Sequence, residues 1–330
     1  MATTSRQFQK LVIQIPCLNE AASLPVSLAA LPRKVEGFRK IEWLVIDDGS
    51  TDDTVEVARR HGVDHVVSLG HNQGLAKAFM AGLEASLKCG ADVIVNTDAD
   101  NQYVASCIPD LVRPILVGEA LMVVGARPIT DIEEFSPIKK MLQRLGSWVV
   151  ERASGTKVLD APSGFRAIHR DAALRLNVFN NYTYTLETII QAGRNNIPIA
   201  WVPVAINKSM RPSRLVRSIP SYLYRSVLTI VRIFVIYKPL KFFSALAAIT
   251  AMPGIVVIIR FLVYFALGEG EGHTQSLVLG SALLALSGIL AMGGLVADLI
   301  TTNRVLLEEI RARALRFEIE RHPSRSEEKV

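Results

Sequence analysis

Two aspartates and a glutamine, each one residue apart from the next, follow a strongly apolar run. Val93 to Val95 are β-branched and predict a buried strand, after which come Asp98, Asp100 and Gln102. Alternate side chains of an extended segment point the same way, so these oxygen-bearing groups are expected together. Carboxylate and amide oxygens are ligands that Mg²⁺ and Mn²⁺ prefer. The spacing predicts a metal site; the alternative is a solvated acidic turn that closes a strand.

Alternating strand and helix patterns around this cluster predict an α/β fold. Such alternation is typical of a Rossmann-like, mostly parallel sheet flanked by helices. The predicted strands are residues 10–15, 41–46, 63–69, 93–95, 121–125 and 199–206, and the predicted helices are residues 21–31, 54–61, 75–88, 136–153 and 182–195. Ligands of such sheets bind at the carboxyl ends of the strands, where the polar clusters fall. Pro203 inside the last run predicts an edge strand.

Several common site types are excluded by the sequence. Neither G-x-G-x-x-G nor G-x-x-x-x-G-K-[ST] occurs, so a dinucleotide fold and a P-loop are not expected. Cys17, Cys89 and Cys107 lack the spacing of a metal site or a disulfide framework and are expected to be free thiols. The acidic strand ends favour a nucleotide whose ribose meets carboxylates and whose diphosphate is neutralised by a metal. No nucleic-acid partner is expected.

The apolar residues concentrate near the C-terminus and predict a membrane hairpin. Residues 242–267 and 276–300 each exceed the roughly 20 residues that cross a bilayer. Residues 211–241 hold seven basic and no acidic residues among apolar ones, which predicts an interfacial amphipathic segment on anionic lipid. The alternative is a basic helix of a soluble domain. Arg260 lies within the first span and is expected to snorkel or to face protein.

Charge distribution also predicts topology and domain limits. The loop between the spans has no Lys or Arg, whereas both outer flanks are basic, so the positive-inside rule places both flanks in the cytoplasm. The predicted parts are a cytoplasmic domain at 1–207, a basic juxtamembrane segment at 208–241, the two spans, and a charged cytoplasmic tail at 301–330. The protein is expected to be integral to the cytoplasmic membrane.

Five motifs occur in one order and carry a family resemblance. They are Pro16–Glu20, Asp47–Asp52, Asn72–Leu75, Asp98–Gln102 and Ser163–Arg166. This series resembles the family 2 glycosyltransferases of GT-A fold. It is most similar to the membrane-anchored polyisoprenyl-phosphate glycosyltransferases of the dolichol-phosphate mannose synthase type. The resemblance extends over residues 10–300, including the hairpin.

The resemblance implies a nucleotide site and a metal site. The residues that would line the nucleotide are Pro16, Asn19, Glu20 and Asp48. Asp98 would face the ribose, the diphosphate and the metal, with Asp100 and Gln102 as ligands of Mg²⁺ or Mn²⁺. For Asn19 and Glu20 a second interpretation stays open, since both could cap the following helix.

Phosphate-binding positions are implied as well. Arg127 matches the family's G-S-R arginine, although alanine replaces the serine, and Ser163 with Arg166 matches a phosphate-binding turn. A further basic segment that reaches the phosphates is matched by Lys208, Ser213 and Arg214. Here a lysine replaces the family's first arginine and an arginine replaces its last lysine, so the charge is kept while the loop geometry changes.

Asp160 stands where the family often places a catalytic carboxylate, and the predicted catalytic set is Asp160, Arg166 and Asp98. A phosphate acceptor needs hardly any general base, because its second pKa is about 6. Asp160 is therefore expected to orient Arg166 or Lys208, or to position the phosphate.

The implied reaction moves one sugar from a UDP- or GDP-linked donor to a polyisoprenyl phosphate at the cytoplasmic membrane face, with inversion. One alternative is a processive or glycan-extending transferase of the same fold. Such enzymes carry Q-x-x-R-W, but Asn195 follows Gln191 and Arg194 here. A second alternative is a non-catalytic, nucleotide-binding membrane scaffold. The sugar, the base and a homo-oligomeric state stay open.

Overall fold

The computed structural model of the chain describes residues 7–128, 137–178, 184–207, 228, 231–268 and 270–321. The chain divides into two compact units. The first, called the sheet unit, comprises Met1–Ser221 and Glu308–Val330. The second, called the hairpin unit, comprises Tyr222–Leu307.

A mostly parallel sheet forms the centre of the sheet unit. Its strands in chain order are β1 (Phe8–Cys17), β2 (Phe38–Asp47), β3 (His65–Ser68), β4 (Val93–Asn96), β5 (Met122–Ala126), β6 (Arg166–His169) and β7 (Ile199–Pro203). Their order across the sheet is β3-β2-β1-β4-β6-β5-β7. Only β6 among them runs antiparallel to its neighbours. The predicted α/β sheet is therefore confirmed, and so is the edge position of the strand that contains Pro203.

Helices follow most of the strands. In chain order they are α1 (Leu24–Ala30), α2 (Thr54–Arg60), α3 (Leu75–Lys88), α4 (Ile108–Leu116), α5 (Pro137–Ser154), α6 (Arg170–Arg175), α7 (Thr185–Arg194), α8 (Pro239–Ala266) and α9 (Thr274–Arg321). Neither β6 nor α4 nor α6 is predicted from the sequence. Pro114 interrupts the helical pattern of α4, and β6 and α6 are too short to show a clear period.

The central strand β1 lies between β2 and β4 and is buried on both faces. Leu11, Ile13 and Ile15 are fully buried, as is Val12 on the opposite face. Continuous apolar runs of this kind are typical of parallel strands covered by helices on both sides. Each fully buried aliphatic side chain contributes about 2 kcal/mol to folding. This core holds the carboxyl ends of β1, β2 and β4 in a fixed arrangement.

The end of α9 packs on the sheet unit, of which it is part. Glu318 pairs with Lys88 of α3 at 3.0 Å, and Arg311 lies 3.8 Å from Glu84 of the same helix. Leu315 is buried between these contacts. Part of the predicted charged tail is thus a continuation of the last helix.

The hairpin unit contains α8 and the first part of α9. Both helices are long and apolar enough to cross a membrane, as predicted. They pack closely at Gly254, where an added Cβ would lie 3.0 Å from Leu283 Cβ. Ser287 donates a hydrogen bond from its hydroxyl to the Ala247 carbonyl at 2.9 Å across the pair. Of the predicted basic segment, residues 208–227 lie outside the described part of the chain.

Candidate active site

Buried amides fix the end of β4, from which the two aspartates extend. Asn96 donates from Nδ2 to the Gly164 carbonyl and to the Tyr184 hydroxyl, both at 2.9 Å. Its Oδ1 accepts a hydrogen bond from Gln14 Nε2 at 2.9 Å. The buried Asn96 side chain has partners for both its oxygen and its nitrogen and therefore holds a single conformation, whereas Gln14 Oε1 has no hydrogen-bond partner among the described residues. The path of the chain into Asp98 is therefore set by side chains of β1 and β4 and by Tyr184, the residue before α7.

The turn that carries the D-x-D motif brings its carboxylates into one electrostatic environment. Asn101 adopts a left-handed conformation with φ 55°, and the Gln102 N–H donates to Asp100 Oδ1 at 3.1 Å. Burial, followed by the charge of Asp100, raises the pKa of Asp98 to about 7. Glu20 also raises this pKa, while Arg127 lowers it. The charges of four predicted site residues therefore act on Asp98, namely Asp100, Arg127, Glu20 and Arg166.

The carboxylates after β4 fit a divalent metal that is bound partly by the protein and partly by a substrate. Within the described residues no three His, Cys, Asp or Glu side chains form a group that could hold a metal alone. Asp98 and Asp100 supply two carboxylates that repel each other, and Gln102, whose N–H donates to Asp100, follows in the same turn. Mg²⁺ is commonly bound by one or two carboxylates together with substrate phosphates and water. These three residues match that pattern.

The acidic loop after β2 is held by backbone N–H groups of the segment that precedes α3. Asp48 accepts hydrogen bonds from the N–H groups of Gln73 and Gly74 at 2.8 and 2.9 Å, which joins the end of β2 to the start of α3. At Gly49, φ is +77°, and an added Cβ would lie 2.5 Å from the His71 carbonyl carbon. Asp48 is thus a buried residue that shapes the predicted nucleotide loop from behind.

The first motif loop is tied to the second. Asn19 has φ 55°, accepts from the Thr51 N–H at 2.8 Å, and donates its own N–H to Ser50 Oγ at 2.9 Å. The Glu20 N–H donates to Thr54 Oγ1 at 2.9 Å. The N-cap of α1 is Ser23, and the Glu20 carbonyl accepts the N–H of Leu24, the first residue of this helix, at 2.9 Å. Pro16 is buried within β1, directly before this loop.

Asp160 is fully buried and paired with Arg127. Its Oδ2 accepts from Arg127 Nε at 2.7 Å and from the Arg127 backbone N–H at 3.1 Å, and its Oδ1 accepts from Nη2 at 2.9 Å. Burial lowers the pKa of the Arg127 guanidinium, but the bonds to Asp160 outweigh this and raise it overall. Of the roles expected of Asp160, orienting Arg166 by a direct bond is wrong, because Arg166 donates to the carbonyls of Ser163 and Thr185 and Asp160 binds Arg127 instead; an orientation of Lys208 falls outside the described residues.

Arg166 is fully buried and binds the protein interior. Its Nε donates to the Ser163 carbonyl at 2.9 Å, and its Nη2 donates to the Thr185 carbonyl at 2.8 Å. A further bond joins it to the Thr188 hydroxyl, and burial lowers its pKa to about 10. Arg166 ties the turn after Asp160 to α7, so in this structure it positions the turn from inside.

Ser163 is buried as well, and Gly164, the next residue, lies close to the Asp98 carboxylate. An added Cβ at Gly164 would lie 2.8 Å from the Tyr184 hydroxyl and 3.4 Å from both Asp98 oxygens. The Gly164 N–H donates to the Tyr103 hydroxyl at 3.0 Å. A side chain at this position would displace the Tyr184 hydroxyl, whereas its distance to Asp98 would be an ordinary van der Waals contact.

Sequence reasoning missed the residues that support the site from behind. Tyr103 stacks on Phe165, and Tyr184 stacks on Phe79 at a centroid distance of 3.9 Å. Tyr103 directly follows the D-x-D-x-Q motif, so its position could have suggested a role. Tyr184 lies far away in sequence on the other side of Arg166, and no spacing points to it.

Asn207 is another residue that sequence reasoning missed. Its N–H donates to the Gln102 carbonyl at 2.9 Å, and its Nδ2 donates to the Asn101 carbonyl at 2.8 Å. The described segment 184–207 ends here, one residue before Lys208. Lys208, Ser213 and Arg214, which the family pattern assigns to the phosphates, lie outside the described residues.

Comparison with known proteins gives a family and a fold. Residues 12–176 match the family model described as glycosyl transferase family 2. The undecaprenyl-phosphate mannosyltransferase of Micrococcus luteus is 28% identical over 200 residues, which cover 58% of this chain and 80% of that protein. The undecaprenyl-phosphate 4-deoxy-4-formamido-L-arabinose transferase of Salmonella choleraesuis is 29% identical over 200 residues, which cover 58% and 59%.

A solved structure shows the same fold. It is glucosyl-3-phosphoglycerate synthase from Mycobacterium tuberculosis in complex with Mn²⁺, UDP and glucosyl-3-phosphoglycerate. The TM-score is 0.51 at 21% identity, over 69% of this chain and 79% of that one. This likeness confirms the GT-A-type fold that the sequence predicts.

Proposed function

Because the chain belongs to glycosyl transferase family 2, we propose that it transfers one sugar from a nucleotide diphosphate sugar to a polyprenyl phosphate in a membrane. The nucleophile would be an oxygen of the lipid phosphate, which forms a bond to the anomeric carbon. The bond from that carbon to the donor's diphosphate oxygen breaks on the opposite face, so the configuration inverts. The nucleoside diphosphate leaves with the bonding electron pair.

The state of Asp160 is the observation that carries this choice of acceptor. Both of its oxygens accept bonds from Arg127, and the carboxyl is fully buried. A sugar hydroxyl is scarcely ionised near neutrality and requires a general base at the site. A phosphate monoester has a second pKa of about 6 and is already largely ionised. Because Asp160 is bound to Arg127, it is poorly suited to act as a general base, and the site therefore favours a phosphate acceptor.

Relatives and composition support a lipid acceptor. The two relatives described above carry undecaprenyl phosphate in their names and differ in the sugar. Two helices long and apolar enough for a membrane give this chain a means of meeting such a lipid. The acceptor class is therefore the shared feature, while the sugar stays open between hexoses and modified pentoses.

The donor side of the proposal includes a divalent metal. Asp98, Asp100 and Gln102 would hold Mg²⁺ or Mn²⁺, which would neutralise charge on the departing diphosphate. The solved neighbour was crystallised with Mn²⁺ and UDP; for this chain a UDP-linked and a GDP-linked donor both stay open. The joined loops around Asn19 and Asp48 would enclose the nucleoside.

Arg127 would act on the phosphates under the control of Asp160. The ion pair keeps the guanidinium in one orientation beside Asp98, and a fixed cation stabilises developing negative charge without reorganising. Asp160 is then a positioning residue.

Membrane orientation is proposed from charge alone: both flanks of the hairpin lie in the cytoplasm. A cysteine at Thr274, but not one at Ser326, should react with an impermeant maleimide in intact cells.

Asp160→Asn tests the proposal. Transfer from a nucleotide sugar to undecaprenyl phosphate should fall by less than about a hundredfold, whereas loss of a true general base costs up to about ten-thousandfold. Combining Asp160→Asn with Arg127→Lys should cost little more than either change alone, since both break one pair. The rate should decline below about pH 6, where the lipid phosphate protonates, in the wild type and in Asp160→Asn alike.

The matched control is Asp110→Asn, which removes an exposed carboxylate from α4 and should leave transfer unchanged. Free sugars and glycans should not be extended. Extension of a saccharide at a comparable rate, or an acidic limb that vanishes in Asp160→Asn, would instead favour the glycan-extending alternative.

A further inference from the structure

An arginine lies exposed near the loop end of the first membrane helix. Arg260 stands six residues before the last residue of α8, Ala266, which is about 9 Å along the helix. Its neighbours Ile259 and Leu262 are exposed apolar residues of the kind that face lipid. A helix of 28 residues is about 42 Å long, whereas the hydrocarbon core is about 30 Å thick. The last turns of α8 therefore reach the headgroup layer.

The side chain of Arg260 is directed toward that layer. Its Cζ lies 5.7 Å from the centroid of the Tyr264 ring, one turn closer to the loop. The same ring meets His273 edge-on at 3.9 Å, on the other side of the hairpin loop. Long cationic side chains near helix ends bend in this way toward the interface, and tyrosines are enriched there.

This arginine has no anionic partner among the described residues. Its guanidinium contacts the Tyr264 ring, and no described carboxylate forms an ion pair with it. A guanidinium at the hydrocarbon boundary is costly unless an anion satisfies it, and its planar fork matches phosphate oxygens. His273 places a second nitrogen donor at the same end of the hairpin.

We infer that Arg260, Tyr264 and His273 form a binding site for the phosphate of a lipid headgroup at the loop end of the hairpin. Arg260 donates to the phosphate oxygens, Tyr264 holds the guanidinium from below, and His273 donates from the loop. The inference uses the membrane hairpin of the proposed function and is independent of the reaction. Two sources share this chemistry: a phospholipid, and a polyprenyl phosphate.

The test measures lipid binding by the full chain in neutral detergent. Phosphatidylglycerol, undecaprenyl phosphate and, as a neutral reference, phosphatidylcholine are titrated separately, and bound lipid is counted by native mass spectrometry. Arg260→Gln should weaken binding of the anionic lipids by about tenfold or more, because charge-assisted bonds are lost. Arg260→Lys should recover part of it. His273→Gln should cause a smaller loss.

The matched control is Arg313→Gln, which removes an exposed arginine from the far end of α9 and should leave binding unchanged. A larger loss for undecaprenyl phosphate than for phosphatidylglycerol identifies the polyprenyl lipid as occupant, and the reverse identifies the phospholipid. Wild-type affinity in Arg260→Gln, or equal binding of phosphatidylcholine, would overturn the inference.

Two glutamates of the loop, Glu269 and Glu271, supply a competing explanation, namely that Arg260 pairs within the chain. Glu269→Gln with Glu271→Gln should leave anionic lipid binding intact or strengthen it. A loss of binding as large as that of Arg260→Gln would overturn the inference. Sugar transfer by the wild type is measured on the same samples as an independent readout. Absent transfer with intact lipid binding would refute the proposed function and leave the lipid site standing.

Discussion

Acidic residues are paired differently at the two ends of the parallel strands. We call the side of the sheet where these strands begin the amino edge, and the side where they end the carboxyl edge. Toward the amino edge, the buried Glu42 carboxylate pairs with Lys10 at 3.1 Å, Lys40 at 2.6 Å and His65 at 2.9 Å. At the carboxyl edge, Asp98 lies beside Asp100, and Arg127, whose charge acts on Asp98, forms its ion pair with Asp160 instead. Within the described part of the chain, Glu42 is neutralised by three partners, whereas Asp98 and Asp100 form no ion pair.

The pKa values follow this difference. Burial raises the pKa of Glu42, but hydrogen bonds from Lys40, His65 and Lys10 outweigh it and bring the pKa to about 2. For Asp98, burial and the Asp100 charge act together and raise the pKa to about 7. A carboxylate that is fully paired within the protein stabilises the fold. A buried carboxylate whose pKa is raised is unfavourable for folding when it is ionised, and such residues are typical of ligand-binding sites. Each edge can be tested by removing its charge.

Asp100→Asn should give the largest effect. Transfer should fall at least about a thousandfold, because the site loses charge stabilisation of the leaving diphosphate. The midpoint of thermal unfolding should stay the same or rise, since one of two repelling charges has gone. Binding of UDP and of GDP, measured by calorimetry with and without Mn²⁺, should lose its metal dependence.

Asp110→Asn again provides the exposed reference for this experiment. Full activity of the wild type in excess EDTA would contradict the metal assignment, and so would a wild-type rate in Asp100→Asn. A strongly lowered unfolding midpoint would show that Asp100 belongs with the structural charges, like Glu42.

The contrast also explains what could be predicted from the sequence. The apolar runs of β1, β2 and β4 fix the sheet, and polar residues directly after a strand must lie at its carboxyl edge. The pairing of Asp160 depends instead on two chain segments meeting in space, one after β5 and one before β6. Motif position put Asp160 beside Arg166, but the antiparallel β6 carries Arg166 into the interior.

Glu42→Gln tests the amino edge and should act on stability alone. Removing this carboxylate leaves Lys10 and Lys40 without their common partner. Losing one member of a buried pair costs about 2–3 kcal/mol after allowance for the exposure of Lys40. Thermal unfolding of the full chain in detergent should begin several degrees lower. Turnover per folded molecule should match the wild type, and a large loss of turnover would contradict the division between the edges. Glu56→Gln, at an exposed ion pair of α2, is the reference.

The smallest effect should come from His65, through the pH dependence of stability. Hydrogen bonding to Cys89 raises the pKa of His65, burial opposes this, and Glu42 raises it further, to about 9 from 6.5. A raised pKa stabilises the folded state fully below pH 6.5, and that stability is lost as the pH rises through 9. Glu42 has a lowered pKa, so its contribution is present above pH 4.5 and is lost as the pH falls toward 2.

Together the two groups predict greatest stability of this edge between pH 4.5 and 6.5. Between pH 6.5 and 9 the wild type should lose about 1 kcal/mol, a value reduced for the partial exposure of the ring. The unfolding midpoint, measured across this range, should fall less steeply in His65→Gln, while His61→Gln, at an exposed position, should follow the wild type. Equal slopes in all three proteins would show that the His65 ring gains no stability from its pairing, and the amino edge would then depend on the two lysines alone.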